Sequence, residues 1–265
     1  MITVLWGIVF GLAVGLTPAG GGLAGVGLLM LGAGLSPPMA VIAALCAGAL
    51  AGAVGAGDGA RSRALDTGVS LWLGGGALIG APLGALLLTQ LPPALWSGLF
   101  ALAASLAGLA LWPRVAEKPW LRAGLFLNVP RLPAGQLASV ALSMAARIKL
   151  LITGAAAALA GALFGAGSGA LSRPLVTRVA GLPARQTLAA TLFLMIVTGL
   201  AGAGWFWAFG RIGDGMLIGQ VVLGAVAGFG FARRLSGYCV APWFNRLTGL
   251  GILTVGVLVA VTGMS

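Results

Sequence analysis

Ala19-Gly20-Gly21-Gly22 returns 147 positions later as Ala166-Gly167-Ser168-Gly169, and each copy interrupts a long apolar segment. A Gly-Leu pair follows each one, Gly34-Leu35 in the first and Gly181-Leu182 in the second. Clustered glycines let a backbone turn sharply and break a helix. The chain therefore carries one interrupted element twice, and the solvent around that element decides the fold.

The composition identifies that solvent as lipid. The 265 residues are 60% hydrophobic and 7% charged, with a mean hydropathy of +1.09, against about 25% charged residues in soluble domains. No charge precedes Asp58, and uncharged runs cover 67–113, 150–172, 186–210, 215–232 and 247–265. At about 20 apolar residues per crossing, these runs hold roughly eight spans, with a range of about seven to ten. The expected fold is an all-α polytopic membrane protein; a β-barrel would alternate polar and apolar residues in short segments. No basic residue precedes Leu5-Trp6-Gly7, so the first segment reads as a retained span rather than a signal peptide.

Net charge is +11, from 15 Lys and Arg against four acids. The positives cluster in loops and at span ends, where the positive-inside bias places them, and this argues for the lipid bilayer as partner and against nucleic acid. Cys46 and Cys239 read as small thiols in or beside apolar segments, with no sign of a disulfide or metal site.

The sequence divides into a first transmembrane repeat at 1–112, a basic linker at 113–146 and a second repeat at 147–265. Within the repeats, Gly52, Gly55 and Gly57 correspond to Gly199, Gly202 and Gly204, and after the middle loop the offset becomes 148, matching Asp66 to Asp214 and Gly76 and Gly80 to Gly224 and Gly228. Equivalent loops carry opposite positive loads: Arg61 and Arg63 follow the second helix of the first half, whereas Arg178 and Arg185 follow the break of the second. Opposite loads predict an inverted repeat. Inversion needs an odd number of crossings before the second copy; either the linker adds one or a broken element re-enters without crossing. Glycines four apart (Gly7, Gly11 and Gly15; Gly76, Gly80 and Gly84) predict close helix packing within one subunit, and a homodimer face is the alternative. Trp96, Trp112 and Trp243, near span ends, read as interfacial anchors.

The chain has no His, and its acids, Asp58, Asp66, Glu117 and Asp214, all lie in or beside loops. That excludes His-dependent hydrolysis and His-ligated metal; no Walker lysine motif is present. We expect neither an enzyme nor a cofactor. Cation carriers keep a carboxylate in the membrane, whereas the polar groups available at depth here suit an anion. N–H groups after a helix break lack partners and point along a favourable dipole. Candidate ligands are Thr17, Gly20, Gly21 and Gly22 at the first break, Gly167, Ser168, Gly169, Ser172 and Arg173 at the second, and Thr191 on the following helix. Arg173 alternatively snorkels to the interface, and each hydroxyl has a competing bond to a preceding carbonyl.

The order of these pieces resembles the sulfite exporter TauE/SafE family, the toluene sulfonate uptake permeases. The pieces are Ala19-Gly20-Gly21-Gly22 with Gly34-Leu35-Ser36-Pro37-Pro38, then Phe164-Gly165-Ala166-Gly167-Ser168-Gly169 with Pro174 and Gly181-Leu182-Pro183, and Leu91-Pro92-Pro93 before a closing helix. The chain departs from the family at Pro18, Ser168, Ala44-Leu45 and Arg173. The resemblance implies a multi-pass protein of the bacterial inner membrane that transports small sulfur-containing anions such as sulfite or sulfoacetate. The expected mechanism is secondary transport with the anion held mid-membrane between the two breaks and protons as a coupled ion. The alternatives are an anion channel and a non-transporting assembly protein.

Overall fold

A span of glycine and small residues can fold back within a membrane only if its two arms satisfy their own backbone groups. The first interrupted segment does this. In the computed structural model, which describes residues 2–16, 21–61, 67–110, 144–165, 176, 184–210, 213–235 and 242–262, α1 (Ile2–Leu16) and α2 (Gly21–Ala33) lie side by side. Gly25 meets the ring of Phe10 and Gly32 that of Trp6, so the arms run antiparallel. At 15 and 13 residues, they reach about 22 and 20 Å, short of a hydrocarbon core of about 30 Å. The element is a hairpin whose two ends emerge on one side. The two short antiparallel arms fit re-entry, one of the two options left open by the charge pattern.

Gly34 ends α2 in the left-handed region (φ 65), and the Leu35 N–H donates to the Leu29 carbonyl at 3.3 Å. This explains the Gly-Leu pair: glycine adopts that turn without steric cost. Ser36 then caps α3 (Pro37–Arg61), its carbonyl accepting from Ala40 at 2.9 Å, with Pro37 at the first helical position. α4 (Thr67–Gln90) and α5 (Pro93–Ala110) complete the first half. The second half holds α6 (Met144–Phe164), α7 (Ala184–Ala208), α8 (Gly215–Leu235) and α9 (Pro242–Thr262). Asp214, facing solvent, caps α8 by accepting from the Met216 and Leu217 N–H groups at 2.9 and 3.4 Å. Among the described residues there are nine helices and no strand, and five helices contain stretches long and apolar enough to cross a membrane. Large side chains such as Leu71, Leu78, Met216 and Leu223 stand exposed on the outer face, as lipid contact requires.

Glycine stripes set the packing, and they pair across the halves. α1 lies along α8 and α4 along α6, both parallel. A methyl group added at Gly76 would fall on the Leu151 carbonyl, and one at Gly80 on that of Ala155; at Gly224 and Gly228 it would fall on those of Val4 and Ile8. Gly154 presses on the Leu73 carbonyl, as Gly7 does on that of Val221. Each contact is the other's counterpart at the offsets read from the sequence. α3 and α7 meet antiparallel: Gly52 sits against the Leu192 carbonyl, and Gly199 against Leu45 and Ala49. α5 and α9 do the same, with Gly108 against Gly249 and Gly256 against Ala104. The packing therefore maps onto itself when the halves are exchanged. The glycine spacing serves packing within one chain, as expected.

Gly80→Ala and Gly228→Ala should each lower thermal stability in detergent by a similar amount, about 1–3 kcal/mol, because the methyl meets immovable backbone. Gly75→Ala is the contrast: a Cβ there has open space around it, so this variant should match or exceed the wild type.

Candidate functional site

The second break starts at Gly165, directly after α6, with φ 62. Its surroundings come from the other half of the chain. A Cβ on Gly165 would lie 2.7 Å from Val26 Cγ2, 2.9 Å from Val41 Cα and 3.1 Å from Ala44 Cβ. No side chain larger than hydrogen fits, and φ 62 disfavours one independently. Val26 is five residues into α2, so Gly165 sits roughly 7.5 Å along the axis from the start of that helix. The two breaks are thus neighbours, staggered along α2. Val176 returns to the buried cluster of Val69, Leu73, Leu150, Ala157 and Leu194, between α4, α6 and α7. A straight continuation of α6 would carry it roughly 18 Å beyond the helix end.

The end of α6 is held by an unexpected residue. The last four carbonyls of any helix lack intrahelical partners. One of them, Leu163, accepts the Trp96 indole N–H at 2.9 Å. Trp96 is 1% exposed and stacks on Phe100 at 5.0 Å, and Phe100 meets Phe164 edge-on at 6.3 Å. Sequence reading made Trp96 an interfacial anchor; it is instead a buried cap on the second break. A Trp near a span end serves either role, and its partner, 67 residues away, is invisible to local pattern.

Of the sequence-predicted site residues, Gly21 opens α2, Gly22 is buried within it, and Thr191 is 1% exposed on α7. The first four N–H groups of α2, from Gly21 onward, are the ones a helix start leaves without intrahelical partners. Thr191 occupies on α7 the position that Ala44, which touches Gly165, occupies on α3. Thr17, Gly20, Gly167, Ser168, Gly169, Ser172 and Arg173 lie outside the described residues. The described wall of the second break consists of Val26, Val41, Ala44, Trp96, Phe100 and Phe164, all apolar or small. No cluster of His, Cys, Asp or Glu with metal-binding geometry occurs among the described residues. The described part of this wall offers no carboxylate to a cation.

The family model described as Sulfite exporter TauE/SafE matches residues 3–259, nearly the whole chain. No curated protein and no solved structure matches.

Trp96→Phe keeps most of the aromatic stack and deletes the indole N–H. It should lower stability by about 1–3 kcal/mol, since the Leu163 carbonyl is left buried without its donor. Differential scanning fluorimetry in detergent reads this, with Trp112→Phe as the matched control for the loss of one tryptophan.

Proposed function

Because the chain belongs to the sulfite exporter TauE/SafE family, we propose that it is a secondary transporter of small sulfur oxyanions, sulfite or organosulfonates such as sulfoacetate, in the bacterial inner membrane. Membership in this family makes it a membrane protein of an anion-transport class; the substrate, the site and the mechanism are our reading. The observation that carries the reading is the seat of Gly165 against α2 and α3, which makes the two breaks neighbours in the interior.

On this reading the anion binds at the breaks. Free N–H groups at the start of α2 and at Gly167, Ser168 and Gly169 donate to it, helped by the positive ends of the helix dipoles. Thr17, Ser172 and Thr191 add hydroxyls, and Gly20 and Gly22 keep the approach open. Arg173 supplies the one full charge, so specificity resides mainly in the second copy.

The antiparallel pairing of α3 with α7 supports inverted repeats. If the hairpin re-enters, α3, α4 and α5 make three crossings before the linker, and the odd number inverts 147–265 relative to 1–112 with no crossing by 113–146. Two equivalent halves packed on each other give two equivalent states, one open to each side, and rocking between them carries the anion. Protons entering with the anion would couple the cycle.

In proteoliposomes, sulfite, thiosulfate and sulfonate fluxes should exceed those of empty vesicles, with accumulation against a gradient when a pH difference is imposed. Dissipative flux without accumulation would make the protein a channel, and no flux from folded protein would make it a non-transporting assembly protein. Arg173→Ala should weaken anion affinity by about tenfold or more, the loss of one charged hydrogen bond, with normal expression. Unchanged affinity would assign Arg173 to the interface. For topology, Ser62→Cys and Ile212→Cys, each in a Cys46→Ala/Cys239→Ala background, should react with an impermeant thiol reagent from opposite membrane faces.

A further inference from the structure

On the outer face, α4, α6 and α7 leave a groove of about 420 Å³, walled by Leu71, Trp72, Leu78, Leu151 and Phe193 and floored by Gly75. Its upper end carries charge. The Arg147 guanidinium lies over the Trp72 ring, 5.8 Å from its centroid. α4 and α6 run parallel, so Arg147, in the first turn of α6, stands at the same end of the bundle as the start of α4. The apolar part runs from there into the membrane, over roughly 10 Å between Leu71 and Leu78.

The repeat supplies an internal comparison. At the equivalent face of the other half, Trp72 is replaced by Gln220 and Gly75 by Leu223. The shared packing persists there without the notch, so the fold does not require it. A Cβ at Gly75 meets nothing within 4 Å, so its absence serves open space rather than helix contact.

We propose that this groove is a binding site for an anionic phospholipid, with the phosphate headgroup on Arg147 and one acyl chain along Trp72, Gly75 and Leu78. A zwitterionic lipid fits the apolar part equally; the Arg147 charge selects the anionic one, as basic pockets between membrane helices do. The site rests on membrane placement alone and is independent of which anion is transported.

The test is fluorescence quenching of the purified full-length protein by phospholipids brominated on the acyl chain, phosphatidylglycerol against phosphatidylcholine, in detergent micelles. Wild type should quench at severalfold lower phosphatidylglycerol than phosphatidylcholine, and Trp72→Phe should remove that component. Arg147→Gln should bring the two lipids to within twofold, while Arg234→Gln, an exposed cation on α8, leaves the preference intact. Gly75→Leu should weaken both lipids severalfold. Equal affinity for the two lipids in wild type, or a preference that survives Arg147→Gln, overturns the proposal even if Gly75→Leu fails to fold.

Discussion

The architecture rests on backbone meeting backbone. In lipid, apolar side chains gain little from contact with each other, because the surrounding tails are as apolar as they are. What holds helices together is the number of van der Waals contacts that close approach allows. The stripes on α1, α4, α6 and α8 supply that approach, and they pair one half's hairpin arm with the other half's spanning helix. Contacts between the halves are close: α1 lies along α8, and α6 along α4. The exchange places the second break against α2 and α3 and the Trp96 cap against α6.

Held that way, the breaks can carry free backbone groups at depth. A helix end in hydrocarbon is costly unless its groups are bonded or face a ligand. The end of α6 meets part of this cost by borrowing the Trp96 N–H. The first turn of α2 leaves its N–H groups for another partner. Under the proposed function, an anion there would meet donors already oriented by the helix start. The halves grip each other through matching surfaces, and under the proposed function that pseudo-symmetry would let the assembly tilt either way, as alternating access needs.

Much of this was legible in the chain. Helix bounds follow from the uncharged runs and their Pro and Gly punctuation: Pro37, Pro93 and Gly215 each stand at the first position of an observed helix. α6 starts at Met144, ahead of its apolar run, because a helix end can project its basic turn into the interface. The glycine spacing announced close packing, but spacing alone cannot name the partner. Gly76 and Gly224 were seen as equivalents; that one meets α6 and the other α1 needed the fold.

What the sequence determined by itself is the solvent, the helices and the duplication, since these depend on composition and on pattern within one segment. It also indicated the sign of the cargo, through the lack of acids in apolar runs. The tertiary structure decided how the first interrupted segment runs, because a hairpin and a kinked span have the same local pattern and differ only in whether Gly25 and Gly32 return to Phe10 and Trp6. It also decided that Trp96 is a cap and not an anchor, and that α3 and α7 run antiparallel. Each of these is a relation between residues far apart in the chain. Packing settles such relations, because lipid imposes the same local pattern on every alternative.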